Sequence, residues 1–308
     1  MSYLLVSPCR NESAYMRKTL DSVVNQTVKP DLWVIIDDGS TDTTPEILRE
    51  YAEKHPFIKI FTRENRGHRS VGPGVIEAFY YGYDQIDPTQ FDYICKLDLD
   101  LDLPLRYFEI LLERMTANPR IGTCSGKAYF IDKDSGKTIS EKCGDEMSVG
   151  MTKFYRRTCF EEIGGFVRQV MWDGIDCHKC RQQGWIAISW DEEDLRFIHL
   201  RPMGSSQKGI FTGRMRHGFG QYFMGTGLLY MTASSVFRMM HPPYLVGGLA
   251  MWWGYVKSML QKQPRFADQD LVTFIRQYQI QCLLKGKSAA TAALNERQEV
   301  VWTARHTA

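Results

Sequence analysis

Between Tyr93 and Pro104 an apolar run ends in three carboxylates at alternate positions, Asp98, Asp100 and Asp102. Side chains of an extended chain alternate between faces, so this spacing puts all three on one face. Clustered carboxylates repel one another and Asp is poorly suited to strand interiors, so the arrangement calls for bulk water or a compensating cation. A hard, oxygen-seeking ion, Mg2+ or Mn2+, suits such a donor set. A second acidic group, Asp37-Asp38-Gly39-Ser40-Thr41-Asp42, closes another apolar run, and a basic cluster from Arg63 to Arg69 follows a third.

The elements that must hold these residues are legible as a repeat. Tyr3 to Ser7, Leu32 to Ile36, Phe57 to Phe61 and Tyr93 to Leu97 are short apolar strands. Helical spacing separates them, with Met16, Leu20, Val23 and Val24 first, then a helix opened by Thr44-Pro45, then Val75 to Ile86, and finally Leu105 to Met115. Alternation of this kind predicts an α/β chain with a doubly wound, mostly parallel sheet. Ligands of such sheets bind at the carboxyl ends of the strands, so Pro8 to Glu12, Asp37 to Asp42, Arg63 to Arg69 and Asp98 to Asp102 are expected on one rim. After residue 120 the pattern loosens. Thr123 to Ile131 and Thr152 to Tyr155 read as strands of a mixed sheet edge, His178 to Gln183 as a short helix, and two further strands end at His199.

A length of 308 residues, 44% of them hydrophobic, accommodates one large domain or two smaller ones, and a formal net charge of +2 gives no general argument for nucleic acid. The first ten residues lack the basic and long apolar regions of a signal peptide, and the eight cysteines are scattered, so the chain reads as cytoplasmic. Beyond Ile210 the character changes. Aromatic and apolar residues dominate, and Tyr244 to Val256, with Trp252 and Trp253, is too short to span a bilayer but suits its interface. The expected organisation is a catalytic domain over 1–205, a helical extension over 206–286 that suits a membrane surface, and a polar, loosely held tail over 287–308. Membrane contact at the inner face is weighed there against helices that pack on the protein itself.

Four separated motifs, in order, make the chain resemble the family 2 glycosyltransferases, inverting enzymes of the GT-A nucleotide-sugar fold. They are Pro8-Cys9-Arg10-Asn11-Glu12, Asp37 to Asp42, Asn65-Arg66-Gly67 and Asp98-Leu99-Asp100, and the likeness covers about residues 1–200. It implies that Asp98 and Asp100 hold a divalent ion, with His199 as a third ligand or a phosphate contact. It further implies nucleotide contacts from Pro8, Arg10, Glu12, Asp38, Arg66, Arg69 and Asp98. The family's acidic base motif follows a Gly-Gly-Phe segment. Here Gly164-Gly165-Phe166 is intact, but Trp172 replaces the usual Glu and the acids read Asp173 and Asp176. Asp173 is the expected general base, with Asp176 as the alternative. The partners implied are a nucleotide-diphosphate sugar and a glycan or lipid-linked acceptor. The competing readings are an Asp-x-Asp phosphohydrolase and a non-catalytic scaffold that keeps a nucleotide-binding shape.

Overall fold

The computed structural model describes residues 1–67, 72–132, 134–201, 210–241 and 243–306. The chain forms two compact units, Met1–Arg168 with Trp185–Arg201, and Gln169–Gly184 with Pro202–Ala308. The fragment around Asp173 and Asp176 therefore belongs with the C-terminal helices.

The first unit holds eleven strands among its described residues: β1 Tyr3–Cys9, β2 Leu32–Asp37, β3 Ile58–Thr62, β4 Tyr93–Leu97, β5 Leu101–Asp102, β6 Ile121–Ser125, β7 Lys127–Ile131, β8 Thr138–Ser140, β9 Thr152–Arg156, β10 Ile186–Ser189 and β11 Arg196–His199. Its helices are α1 Met16–Val24, α2 Thr44–Lys54, α3 Pro73–Tyr83, α4 Tyr107–Ala117 and α5 Arg157–Glu162. Seven strands form one sheet in the order β10-β6-β9-β4-β1-β2-β3, and four form a second in the order β5-β11-β7-β8. β1 pairs in parallel with both β2 and β4. Both faces of these central strands are buried, which is why they read as unbroken apolar runs. The mixed pairing expected at an edge lies inside the sheet, where β9 runs antiparallel between β4 and β6. The run Thr123 to Ile131 is two strands, divided at Gly126 where a Cβ would meet the Leu195 carbonyl oxygen at 1.8 Å.

The chain leaves β1 toward β2 on one side of the sheet while β4 sits on the other, so the strand order reverses at β1 and β4. Such a switch point leaves a crevice at the carboxyl ends of the two strands. Tyr3, Tyr93, Phe108 and Phe154 pack together beneath it, with ring centroids 5.2–6.0 Å apart.

The second unit is helical: α6 Trp172–Gln182, α7 Ile210–Met224, α8 Leu228–Met239, α9 Val246–Leu260, α10 Gln269–Lys285, α11 Lys287–Arg297 and α12 Glu299–His306. Glycines set its closest crossings. A methyl at Gly218 of α7 would lie 2.0 Å from the Met251 carbonyl oxygen, one at Gly254 of α9 2.2 Å from that of Met215, and one at Gly248 2.4 Å from that of Ser235. Residues 287–306 are two helices rather than a loose tail. Ala290 and Leu294 bury against Tyr278 and Cys282, and the Tyr278 hydroxyl lies 2.7 Å from Thr291 Oγ1. Among the described residues no helix is long and apolar enough to cross a membrane.

Candidate active site

The loops after β1 and β2 are fastened to each other. The Asp38 amide donates to the Cys9 carbonyl oxygen at 2.9 Å, Asn11 Oδ1 accepts from the Thr41 amide at 2.8 Å, and the Glu12 amide donates to Thr44 Oγ1 at 2.9 Å. Gly39 has φ +71°, and a methyl there would lie 2.5 Å from Asn65 Cα, so the turn after β2 requires glycine. Arg10 ties this corner together, donating to the Asp38 carbonyl oxygen at 2.6 Å and to Asn65 Oδ1 at 2.5 Å. The Asp38 carboxylate accepts from Arg63 Nη1 at 3.0 Å and from Arg66 Nη2. Arg66 also reaches Glu77 at 3.0 Å, so it is engaged with two carboxylates. Pro8 closes β1 beside Ile36. Arg69 lies outside the described residues.

The Asp98 to Asp102 stretch does not stay extended. The chain bends at residues 98–100 between β4 and β5, which corrects the expectation of three carboxylates on one face. Asp98 is held at the end of β4, its Oδ1 accepting from the buried Lys96 Nζ at 2.5 Å. Asp100 turns toward β11. Its Oδ2 accepts from Arg201 Nη2 at 2.6 Å and faces His199 Nε2 at 3.5 Å. Asp102 sits apart, 3.5 Å from Lys18. The antiparallel pairing of His199 with Leu101 brings two residues almost a hundred positions apart in sequence to the same place.

Arg201 also donates to Glu12 Oε1 at 3.0 Å, so one guanidinium bridges the loop after β1 and the turn after β4. Behind His199, Nδ1 lies 3.0 Å from Oε1 of Glu141, whose side chain is buried. A carboxylate behind an imidazole fixes the ring's orientation and leaves Nε2 facing Asp100. Burial pulls the His199 pKa down, but hydrogen bonds to Asp100 and Glu141 outweigh it and hold it up at about 9. Burial likewise acts to raise the Asp100 carboxyl, yet His199 and Arg201 keep it below the ordinary range. Burial, reinforced by the charge of Asp100, raises the Asp98 carboxyl despite Lys96.

Asp100 supplies the test of fit for a divalent cation. It is 5% exposed, and its Oδ1 is buried without a hydrogen-bond partner among the described residues. A buried anionic oxygen in that state is costly, and a cation bound at Asp100 with oxygens from a ligand would satisfy it. Among the described residues no three acidic, His or Cys side chains form a ready-made metal cage, because Lys96 and Arg201 engage Asp98 and Asp100. Asp100 and the facing His199, with Asp98 near enough to feel both, would leave an ion to take most of its ligands from a phosphate-bearing partner.

Lys96, Glu141 and Arg201 were absent from the expected site. Lys96 and Arg201 were within reach, since each stands two residues from a predicted member, on the same face by strand alternation. Glu141 gave no signal, because it directly follows the short β8 in a stretch whose sequence reads only as a polar connection. Asp173 and Asp176 lie in the second unit on α6, whose start at Trp172 puts them one turn apart. Asp173 is in the first helical turn, where the helix dipole favours a charged carboxylate, and Asp176 is 1% exposed. The Gly-Gly-Phe segment ahead of them is pinned in the first unit. Gly165 has φ +64°, and the Phe166 amide donates to the Tyr80 hydroxyl at 2.6 Å.

The sequence matches glycosyl transferase family 2 over residues 5–172. The chain belongs to glycosyl transferase family 2. Relatives include EpsH of Bacillus subtilis, 28% identical over 165 residues that make up 54% of this chain and 44% of that protein. Another is the poly-beta-1,6-N-acetyl-D-glucosamine synthase of Staphylococcus epidermidis, 29% identical over 136 residues, 44% of this chain and 30% of that protein. The matched region thus spans less than half the length of either relative. Among solved structures, the mannosyltransferase PcManGT from Pyrobaculum calidifontis, in complex with GDP-Man and Mn2+, covers 99% of this chain and 86% of its own at a TM-score of 0.52 and 17% identity. GalNAc-T7 with UDP, GalNAc and Mn2+ covers 91% and 57% at a TM-score of 0.59 and 16% identity. These likenesses establish the GT-A fold for the family 2 chain described here.

Proposed function

We propose that this family 2 chain is an inverting glycosyltransferase that moves a sugar from a nucleotide-diphosphate donor to a glycan or lipid-linked acceptor. The observation that supports the reading is His199 facing Asp100 just past the end of β4, at the switch point of a GT-A sheet, with one buried Asp100 oxygen that has no hydrogen-bond partner among the described residues. The PcManGT structure in complex with GDP-Man and Mn2+ and the GalNAc-T7 structure with UDP, GalNAc and Mn2+ support the same class of donor and ion.

In this reading Asp98 and Asp100 would hold Mg2+ or Mn2+, with His199 as a third ligand or a phosphate contact, and the ion's charge would offset the negative charge that grows on the diphosphate as the glycosidic bond breaks. Glu12, Asp38, Arg10 and the backbone at Pro8 form the wall for the base and ribose, and Arg66 and Arg69 serve the phosphates. Arg201, already bridging Glu12 and Asp100, is released to the incoming diphosphate. Asp173 accepts the proton of the acceptor hydroxyl as it attacks the anomeric carbon, and Asp176 is the alternative base.

A thermal-shift panel of nucleoside diphosphates and their sugars, with and without Mn2+, tests the reading. A raised melting temperature is expected for one nucleotide class and only when Mn2+ is present, since a ligand of the folded state stabilises it by mass action. Asp100→Ala should lose both the shift and transfer. Asp173→Asn should keep the shift while turnover falls about 100-fold or more. Full activity in excess chelator would reject the metal assignment.

A further inference from the structure

From Ile210 to Ala267 the chain contains no Asp or Glu and six Lys or Arg, although the whole sequence balances 38 basic against 36 acidic residues. The same stretch carries much of the exposed apolar surface of the second unit. On α8, Leu229, Val236 and Met240 recur at helical spacing on one face, with exposures of 72%, 53% and 62%, and Phe237 beside them is 61% exposed. On α9, Leu249, Trp253 and Leu260 share a face with the exposed Lys257, at 54%, 48% and 68%. The two faces are continuous, because Trp252 Nε1 of α9 donates to Oγ1 of the exposed Thr232 of α8 at 3.3 Å. Contiguous apolar surface of this kind on a folded protein marks a site of association.

Basic side chains flank the same pair of helices: Lys257 and Lys262 are exposed in the last turn of α9 and just past it, and Arg214 and Arg238 are half-buried at the opposite end. Arg214 of α7 approaches the first turn of α9, its Nε 3.9 Å from where a methyl on Gly247 would sit. Arg238 lies on α8 one residue from Met239, which touches the neighbouring Gly248. Burial depresses Arg214 and His217, and the nearby Arg238 depresses both further, so the two guanidiniums lie close together with an uncharged His217 beside them.

We propose that the exposed faces of α8 and α9 dock on an anionic lipid bilayer, the apolar side chains entering the headgroup boundary and the exposed Lys257 and Lys262 meeting lipid phosphates beside them. Helices of 12 and 15 residues cannot span the roughly 20-residue thickness of a bilayer but can lie in its interface. Charge complementarity selects this occupant. A second copy of the chain would bring the same acid-free basic face against itself, whereas an anionic leaflet attracts it and Trp, Tyr and Lys suit its surface. The inference stands apart from the transfer reaction, and its test uses no donor, nucleotide or metal.

The full chain should float with vesicles of phosphatidylcholine and phosphatidylglycerol at low salt, and much less with phosphatidylcholine alone. Phe237→Glu with Trp253→Glu changes only exposed positions, and this variant should stay in the soluble fraction while its circular dichroism and melting temperature match wild type. Lys257→Gln with Lys262→Gln should lower partitioning onto the anionic vesicles by about 10-fold or more and leave the residual binding to neutral vesicles unchanged. Wild type that does not float at low salt overturns the proposal, as does a Phe237→Glu, Trp253→Glu variant that floats as well as wild type. A concentration-dependent dimer that the same double variant abolishes, with no flotation of wild type, would assign the face to self-association instead.

Discussion

At the scale of single residues the site is organised by pairs that hold carboxylates in place. Lys96 holds Asp98, Arg201 holds Asp100 and Glu12, and Glu141 stands behind His199. Glu141 touches none of the atoms proposed to react, so its role is positioning. Under the proposed metal reading, Glu141→Ala frees the His199 ring to rotate and should weaken Mn2+ binding in the presence of nucleotide about 10- to 100-fold, the usual effect of removing such a partner. Glu141→Gln keeps a hydrogen-bonding group and should recover part of the loss. Titration of Mn2+ into each variant at saturating nucleotide measures this, and unchanged affinity in Glu141→Ala would remove Glu141 from the site.

At the scale of elements, short strand pairings and close helix crossings do the positioning. β5 has only two residues, yet its pairing with β11 is what sets His199 against Asp100. In the second unit the α7 and α9 crossing depends on glycine on both sides. Gly254→Ala places a methyl 2.2 Å from the Met215 carbonyl oxygen, and backbone on both helices must move to admit it. Overpacking of this kind costs about 1–3 kcal/mol, so the unfolding free energy from a urea titration should fall by that amount, with a correspondingly lower midpoint. A midpoint equal to wild type would mean that the helices separate at little cost.

At the scale of the whole molecule, pH acts on the second unit through His217. Burial, with help from the neighbouring charges of Arg214 and Arg238, pulls its pKa down to about 4 from the ordinary value near 6.5. The unfolded chain then binds a proton that the folded one refuses as pH falls through that window. Stability is therefore fully present above about pH 6.5 and declines as pH drops toward 4. Melting temperature measured across this range should fall on the acid side in wild type. The fall should be shallower in His217→Asn, and identical acid limbs for the two proteins would show that His217 carries no such linkage.

The alternation of strands and helices and the doubly wound sheet were legible in the sequence alone. Buried parallel strands must be continuously apolar, and the helices between them must show one apolar stripe. Local chemistry was legible too, as with the Asp37 to Gly39 turn and the carboxylates that end β4. The encounter of residues far apart in sequence was not. Asp98 and Asp100 declared themselves by type and spacing, but their separation from Asp102 follows from a bend that lets Asp100 meet Arg201. Glu141 left no mark in a polar connection, because only the packing of β7, β8 and β11 brings it behind His199. Likewise, composition announced an aromatic, acid-free C-terminal region, whereas which side chains face outward depended on how α7, α8 and α9 pack through their glycines. Periodicity is written in neighbouring residues, and so the sequence determined the elements. Side-chain encounters depend on strand register and helix crossing, and so the tertiary structure alone decided the site's inner partners and the exposed face.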